Sequence, residues 1–454
     1  MIKTYIKIAF RNILRYKANS AFNLLGLSLG IVCTLLLTLH IKEELSYDKV
    51  FPKHDRLYRM VTTEWAKSAP PLAAELKNFF PEISATTRFV QRGTNVVNTS
   101  FDTQSEIDGL YTDSSVVQMF DLKTVSGNPF QALKEPSSVV LSKSMSVRLF
   151  GNKNPVGQKL VFEDEEELWV KAVIEDLPKN THLKFDYLVS MPTFYAFIAK
   201  ALPGWIDNKG WMFGWTYIQL NQPADIEKIN ARLKDFYLKY LDGLIGKEEA
   251  LSFAQSARIQ PITDIHLKSD LIQEMSPNGN ITYIYIFIAV EVLILLIACV
   301  NFINLFTVQA IKRLKEIGIR KIVGAEKRQI SLQFLIQAFV LTLLSVIIAL
   351  AIYQIAIPFY NNLTGRAITF HEVLKKENIL IILLITCFVG FISGLFPSVF
   401  ASSFLPIKAL KATKDPKTSA IYVRKSLVVF QFVISGLLIT CTLLIYQQMQ
   451  LFKN

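Results

Sequence analysis

The sequence predicts an α-helical membrane protein with about five transmembrane helices and one large mixed α/β periplasmic domain. Five long apolar runs in the 454-residue chain support the membrane helices, because each is near or above the roughly 20 residues that a helix needs to cross a bilayer. A polar stretch of ordinary composition between the first two runs predicts the domain. Short basic segments beside the runs give the chain an orientation.

The apolar runs and the stretches between them divide the chain into consecutive regions. The transmembrane helices are predicted at 21–41, 283–308, 332–357, 379–400 and 427–446. The other regions are an amphipathic cytoplasmic helix at 1–20, the periplasmic core domain at 42–282, a cytoplasmic coupling segment at 309–331, a periplasmic loop at 358–378, a cytoplasmic loop at 401–426 and the start of a second periplasmic region at 447–454. The core domain is long enough to bury a hydrophobic core of its own.

Basic charge is concentrated in three short segments. Residues 1–18, 311–329 and 405–425 each have a net charge of +5, whereas residues 42–282 have a net charge of −4. Lys and Arg in short loops mark the cytoplasmic side of a membrane protein, so the N-terminus and both basic loops are predicted to be cytoplasmic. The basic segments are separated by apolar runs rather than gathered on one folded face, which argues against nucleic acid as a partner.

The first segment has the pattern of a helix that lies on a membrane surface. Its basic residues recur at steps of four and share one helical stripe, with apolar residues on the other side. These are Lys3, Lys7, Arg11 and Arg15 against Ile2, Ile6, Ala9 and Ile13. Such a helix binds lipid head groups through its basic side. A plain extension of the first transmembrane helix is the alternative.

The polar region between the first two crossings mixes helix and strand patterns. Residues 70–83 and 225–242 repeat apolar side chains at helical spacing, whereas 168–174 and 216–220 are short and rich in β-formers. Interleaved helices and strands predict an α/β or α+β domain. All four cysteines of the chain lie in apolar runs, so this domain is expected to fold without disulfides.

The chain carries no sequence pattern for nucleotide hydrolysis, hydrolase or metal chemistry. It has no phosphate-binding loop, no Gly-x-Ser-x-Gly elbow and no His-Glu-x-x-His motif. Its five histidines do not cluster along the sequence. We therefore predict no catalytic, cofactor-binding or metal-binding residues in this chain.

Small and amide side chains mark predicted contacts between the transmembrane helices. Two crossings carry a pair of glycines four residues apart, which lets helix backbones approach closely. A third crossing carries two asparagines that share a face, and we predict that they form hydrogen bonds between helices. The predicted packing residues are Gly26, Gly30, Gly390, Gly394, Asn301 and Asn304.

The most informative segment is residues 313–325, which read Arg-Leu-Lys-Glu-Ile-Gly-Ile-Arg-Lys-Ile-Val-Gly-Ala. Glu316 and Arg320 form an i, i+4 pair in the favourable order, which predicts a short helix. The apolar residues of this cytoplasmic segment have no obvious lipid role, so the helix suits docking to a partner protein. A loop whose basic residues only fix the topology is equally consistent with these residues.

The sequence around this segment resembles the signature of a known family. Residues 298–305 read Ala-Cys-Val-Asn-Phe-Ile-Asn-Leu, and residues 315–321 read Lys-Glu-Ile-Gly-Ile-Arg-Lys. Both resemble the ABC transporter permeases of the macrolide-exporter, lipoprotein-release and cell-division superfamily. Supporting similarities run along most of the chain, at residues 11–12, 23–30, 264–267, 394–397 and 405–411.

The resemblance implies a permease subunit in the bacterial inner membrane that works with a separate cytoplasmic ABC ATPase and with a second permease copy or half. ATP hydrolysis in the ATPase would then move the periplasmic domain for export or extraction of a substrate. The family's docking helix corresponds to Glu316, Gly318, Ile319, Arg320, Lys321 and Gly324. Residues 406–411 are expected to form a second contact with the ATPase.

Further partners implied by the resemblance are membrane lipids and a periplasmic protein. The alternative function is a regulatory membrane protein that transmits ATPase strokes to a periplasmic partner, such as a cell-wall hydrolase, without transport. The fifth apolar run also resembles the start of the second half of the duplicated permeases. We therefore expect a partial chain, with a natural five-crossing protein as the alternative.

Overall fold

The computed structural model describes residues 2–62, 64–92, 108–162, 166–202, 208–364, 368–403 and 419–453. The chain divides into two compact units. The helical unit comprises Met1–Ile41 and Tyr285–Asn454, and the sheet-containing unit comprises Lys42–Ile284.

Helices and strands follow one another along the described residues. From the N-terminus they are α1 (Ile2–Arg15), α2 (Lys17–Leu45), β1 (Leu57–Val61), α3 (Leu72–Phe79), β2 (Ile83–Arg92), β3 (Gly109–Thr112), α4 (Val116–Met119), β4 (Thr124–Gly127), α5 (Pro129–Ala132), β5 (Ser138–Ser142), α6 (Lys143–Phe150), β6 (Lys159–Val161) and β7 (Glu167–Ile174). They continue as β8 (Tyr187–Ser190), α7 (Met191–Ala201), β9 (Gly214–Leu220), α8 (Asp225–Tyr240), α9 (Lys247–Ser256), β10 (Arg258–Pro261), α10 (Ile262–Lys268), α11 (Ile281–Lys312), α12 (Leu314–Ile322), α13 (Lys327–Thr364), α14 (Phe370–Val373), α15 (Lys376–Ser403) and α16 (Ser419–Lys453).

Five helices in the described part of the chain are long and apolar enough to cross a membrane. They are α2, α11, α13, α15 and the Lys425–Gln448 part of α16. With the mixed sheet domain described next, they confirm the predicted fold class. Each helix extends beyond the apolar run that predicted it, because backbone hydrogen bonding continues a helix into polar flanking residues.

Within the predicted periplasmic loop at 358–378, most of the described residues are helical. Pro358 lies inside α13, which continues to Thr364. The short helix α14 follows, and α15 already begins at Lys376. The helix α13 thus continues past residue 357, where the apolar run ends, because proline is tolerated within membrane helices.

The N-terminal helix α1 packs against α13. Ala9 and Asn12 are buried, whereas Ile6, Phe10 and Leu14 are exposed. These three exposed residues are spaced four apart and form a stripe along one side of the helix. Of the residues predicted on the apolar side, Ala9 is buried and Ile6 is exposed. Phe10 and Leu14, which were not part of that prediction, extend the exposed stripe.

The described strands of the sheet-containing unit form one ten-stranded sheet. Its order is β10-β1-β9-β2-β3-β8-β5-β7-β4, with β6 paired to β7. Neighbouring strands are antiparallel except for the parallel pairs β3–β8 and β5–β7. Helices between these strands complete the mixed α/β domain that the composition predicted.

The predicted elements of this domain are present with shifted ends. The helix expected at 70–83 covers only α3, because Pro81 favours an extended conformation in the preceding residue. Phe80 accordingly has φ −111° and ψ 102°. The strand β2 begins at Ile83. The strands expected at 168–174 and 216–220 correspond to β7 and β9.

Aromatic side chains fill the core of the sheet-containing unit on both sides of β9. Phe89, Phe120 and Tyr217 are buried and pack edge to face, with Phe89 and Tyr217 centroids 5.4 Å apart. A second cluster joins α3 to α8 through Phe80 and Phe236, whose ring centroids are 5.5 Å apart. Burial of such rings provides much of the stabilisation of a domain core.

Candidate functional site

The predicted docking segment forms a distinct short helix, α12, between two candidate membrane helices. It begins two residues after the end of α11 and spans Leu314–Ile322. Gly324 ends it in the left-handed region with φ +103°. The Gly324 N–H donates to the Lys321 carbonyl (3.1 Å), and the Ala325 N–H donates to the Arg320 carbonyl (3.0 Å). A glycine at this position satisfies the last helical carbonyls and lets the chain turn into α13.

One face of α12 is buried in the helical unit. Ile317 and Gly318 lie on this face, and Ile317 belongs to the apolar core shared by the membrane helices. Gly318 was predicted as a docking residue, and the structure places it inside the helical unit instead. The arrangement of the neighbouring helices decides which face is covered, and the sequence of α12 alone does not contain that information.

Arg313 is the centre of a buried polar network at the start of α12. It is only 5% exposed. Its Nε donates to the Glu316 Oε2 at 3.3 Å, and its guanidinium also donates to Gln337 Oε1 on α13 at 3.1 Å. The same Gln337 oxygen accepts from the Asn12 amide of α1 at 3.2 Å. The network therefore joins α1, α12 and α13.

Arg320 extends the network from the other end of α12. It donates to Glu316 Oε1 at 2.6 Å and to Gln333 Oε1 on α13 at 2.8 Å. Lys321 donates to the carbonyl of Ser402 in the last turn of α15 at 2.5 Å. Burial, together with the charge of Lys327, lowers the pKa of Lys321. These predicted docking side chains thus anchor α12 to its own helical unit.

The opposite face of α12 exposes apolar side chains. Ile319 is 50% exposed, Ile322 is 60% exposed and Val323 is 82% exposed. Lys315 is also exposed on this helix. A compact apolar patch beside a basic side chain has the chemistry of a protein-docking surface.

Sequence reasoning identified part of this site. Of the predicted docking residues, Ile319 and Gly324 are exposed, and Glu316 and Arg320 are partly exposed but engaged in the network. Ile322 and Val323 belong to the apolar residues of the segment that had no obvious lipid role, and both are exposed. Sequence reasoning missed the buried network, which is formed by Arg313, Gln333, Gln337 and Asn12. Two glutamines four residues apart in an otherwise apolar run were the available signal for a polar contact within the membrane. The second predicted contact, residues 406–411, lies outside the described residues.

The predicted packing glycines lie where helices approach closely. A Cβ added at Gly30 would lie 2.5 Å from the Ala298 Cβ on α11. On α15, a Cβ at Gly390 would lie 2.8 Å from the Phe339 ring, and one at Gly394 would lie 2.8 Å from the Ala338 Cβ of α13. Contacts this short leave no space for a methyl group.

The two predicted packing asparagines, Asn301 and Asn304, do not form the hydrogen bonds between helices that we expected among the described residues. Asn301 Nδ2 would be 3.0 Å from a Cβ at Gly26, so it faces a residue that has no side chain to accept a hydrogen bond. Asn304 Oδ1 is buried and has no hydrogen-bond partner among the described residues. The interhelical hydrogen bonds expected for this pair are therefore not formed in the part of the chain that the structure describes.

Two family models match the chain. The MacB-like periplasmic core domain model matches residues 20–236. The FtsX-like permease C-terminal model matches residues 288–406. The first match covers most of the sheet-containing unit, and the second contains α12 and the packing glycines of α15.

Curated relatives match over different lengths. The macrolide export ATP-binding/permease protein MacB of Campylobacter jejuni is 29% identical over 142 residues, which cover 31% of this chain and 22% of that protein. The chain thus spans well under two thirds of that relative. The uncharacterized ABC transporter permease YknZ of Bacillus subtilis is 24% identical over 433 residues, which cover 89% of this chain and 98% of that protein.

Among solved structures, the periplasmic region of MacB from Actinobacillus actinomycetemcomitans is similar to part of the chain. It shares 14% sequence identity and covers 46% of this chain and 90% of that chain, with a TM-score of 0.33. The family to which this chain is assigned therefore rests on the two family models and the curated relatives, and not on this structural similarity.

Proposed function

We propose that this chain, a member of the ABC transporter permease superfamily of MacB-like and FtsX-like proteins, works with a separate cytoplasmic ABC ATPase. It couples that ATPase to movement of its periplasmic domain. The movement serves export or extraction of a substrate. The observation that carries the proposal is the exposed apolar face of α12, formed by Ile319, Ile322 and Val323. The ATPase docks on this face.

The buried contacts of α12 support mechanical coupling. A load on the exposed face acts on a helix whose polar side chains reach α1 and α13 through Arg313 and Gln337. Lys321 connects the same helix to α15. Because the buried face is packed and hydrogen-bonded, α12 transmits a displacement to several helices instead of moving alone.

ATP hydrolysis is assigned by comparing this sequence with its relatives. The MacB relatives are named as ATP-binding/permease proteins, whereas this sequence has no phosphate-binding loop. We therefore assign the ATPase to a separate subunit. The names of these relatives refer to export, so the cell-wall regulator is the less favoured alternative.

The proposal also includes the location and orientation of the protein and its further partners. The protein is a multi-pass membrane protein, and we assign it to the bacterial inner membrane with a cytoplasmic N-terminus. This orientation places the basic α1 and the exposed face of α12 on the ATPase side. A second permease copy or half completes the membrane part, and a periplasmic protein is the expected external partner.

Site-specific photo-crosslinking in native membranes tests the docking face. A photoreactive amino acid at Val323 is expected to capture an ABC ATPase that mass spectrometry identifies. The matched control is Val147 on α6, an exposed valine of the sheet-containing unit. Equal capture of the ATPase from both positions contradicts the proposal. So does a result in which the probe at Val323 captures proteins but no ABC ATPase.

A further inference from the structure

A surface cleft lies between α3 and α8 in the sheet-containing unit, and its volume is about 350 Å³. Three aromatic side chains line it. The rings of Phe236 and Tyr240 stack with centroids 5.7 Å apart, and the Phe79 ring packs edge-on to Phe236 at 5.2 Å. A volume above about 300 Å³ in which aromatic side chains are combined with a few polar groups is typical of sites for small molecules.

The hydroxyl group of Tyr240 is a buried donor without an acceptor. Tyr240 is 6% exposed, and its hydroxyl oxygen has no hydrogen-bond partner among the described residues. Burial, with the negative charge of Glu75, raises the pKa of Tyr240, so the hydroxyl keeps its proton at neutral pH. Buried polar groups are normally paired, so an unpaired hydroxyl in the lining of a cleft points to a missing acceptor.

The edge of the cleft carries cations over aromatic rings. Lys209 Nζ lies 3.6 Å from Glu75 Oε1 and 4.7 Å from the centroid of the Tyr240 ring. Lys239 Nζ lies 5.9 Å from the centroid of the Phe79 ring, and within the described residues Lys239 has no ion pair. The acid of the cleft is therefore paired with Lys209, and Lys239 remains available for an anion.

One buried unpaired hydroxyl, two exposed donors and the aromatic side chains together define the ligand chemistry. The Tyr240 hydroxyl, the Lys239 ammonium and the Asn78 amide can donate, while Glu75 is engaged by Lys209. The unit as a whole is acidic, since residues 42–282 have a net charge of −4. The cleft is thus a local donor-rich site rather than part of a general basic surface.

We propose that this cleft binds a small amphipathic carboxylate, either as a free molecule or as the C-terminal residue of a peptide. The apolar group packs on Phe79 and Phe236, and the carboxylate accepts from the Tyr240 hydroxyl and the Lys239 ammonium. Charge-assisted hydrogen bonds of this kind are stronger than neutral ones, so the negative charge strengthens binding. The inference is independent of ATPase docking at α12.

Ligand-observed NMR on the full chain in lipid nanodiscs tests the site, with empty nanodiscs as the reference for lipid partitioning. The probes are 3-phenylpropionate, its neutral amide 3-phenylpropanamide, and the peptide Gly-Gly-Phe with a free C-terminus. We expect 3-phenylpropionate to bind roughly tenfold more tightly than the amide, because a hydrogen bond to a charged group is replaced by one to a neutral group. Tighter binding of Gly-Gly-Phe than of 3-phenylpropionate identifies a peptide ligand, and the reverse order identifies a free molecule.

Matched variants separate the site from non-specific binding. Tyr240→Phe removes only an oxygen without a partner, so thermal unfolding is expected to stay unchanged while 3-phenylpropionate binding weakens roughly fivefold. Lys239→Gln is expected to weaken binding, whereas Lys234→Gln, on an exposed part of α8 outside the cleft, is not. Equal binding of the acid and the amide, equal effects of the two lysine variants, or no signal above empty nanodiscs overturns the proposal.

Discussion

Asp48 Oδ1 lies 2.8 Å from His182 Nδ1, and both side chains are buried in the sheet-containing unit. The same carboxylate oxygen accepts from the Thr181 hydroxyl at 2.7 Å and from the His182 backbone N–H at 3.1 Å. On the other side of the ring, His182 Nε2 lies 2.7 Å from the Tyr217 hydroxyl. This polar chain connects the segment after α2 to β9, an interior strand of the sheet.

Replacement of the carboxylate is expected to destabilise this unit. Asp48→Asn removes the charge that faces His182 and weakens two hydrogen bonds, and breaking a buried pair of this kind costs about 3 kcal/mol. Hydrogen exchange of the full chain measures the effect as faster exchange in β9. The matched control is Asp121→Asn, since Asp121 also has positive φ but pairs with Lys123 at the surface. Equal effects of the two substitutions would contradict the role assigned to Asp48.

The Asp48 contribution is also expected to depend on pH. Burial alone would raise the pKa of Asp48, but the charge of His182 and the hydrogen bonds from His182 and Thr181 outweigh it and hold this pKa below its usual value. The stabilisation is therefore complete above the unfolded-state pKa of about 3.9 and is lost as the pH falls through the lower folded-state pKa. The unfolding free energy of Asp48→Asn is expected to fall less steeply in acid than that of the unmodified protein.

The contact between α2 and α11 predicts a reciprocal pair of substitutions. Gly30→Ala places a methyl group 2.5 Å from the Ala298 Cβ, and overpacking of this kind costs about 1–3 kcal/mol. Ala298→Gly in the same chain is expected to restore most of the lost thermal stability. Gly436→Ala on α16 is the control, because a Cβ there has no neighbour within 4 Å among the described atoms. Additive losses in the double variant would show that the two residues are not in contact.

The Arg313 network predicts that Glu316 holds α12 in place. Glu316→Gln removes the charge that faces both Arg313 and Arg320, and Arg313 is too buried for water to replace it. We expect faster hydrogen exchange in α12 and weaker stimulation of ATP hydrolysis in the partner. Glu326→Gln, at an exposed position just before α13, is expected to change neither measurement.

Exchanging the charges of Glu316 and Arg320 is not expected to restore coupling to the ATPase. In a simple ion pair, Glu316→Lys combined with Arg320→Glu restores the attraction. Here the new lysine side chain would face Arg313, which lies 3.3 Å from the present carboxylate. Coupling restored to the level of the unmodified chain, measured as stimulated ATP hydrolysis, would show that Glu316 and Arg320 act as an isolated pair.

Cysteine labelling tests the proposed orientation. In a chain whose four natural cysteines are replaced, Gln131→Cys and Val323→Cys each introduce one exposed thiol. A membrane-impermeant maleimide is expected to label position 131 in intact cells and position 323 only after permeabilisation, because basic flanking segments stay in the cytoplasm. Labelling of position 323 in intact cells would invert the topology.

The membrane architecture was accessible from sequence because its signal is local. An apolar run of sufficient length has few stable alternatives to a membrane helix, and the five runs correspond to the five candidate helices. The mixed helix and strand patterns likewise predicted the α/β character of residues 42–282. The helix ends were less accessible, as Pro358 shows, because a helix continues wherever neighbouring groups satisfy its backbone.

The functional face of α12 was decided only by the tertiary structure. The sequence predicted a short helix there, and the resemblance to the permease family placed Gly318 and Ile319 together in the docking set. Packing against the helical unit buries Gly318 and exposes Ile319. The network partners Asn12 and Gln337 are 325 residues apart. Their contact depends on how α1 and α13 pack, because no local periodicity encodes which distant side chain meets a buried donor.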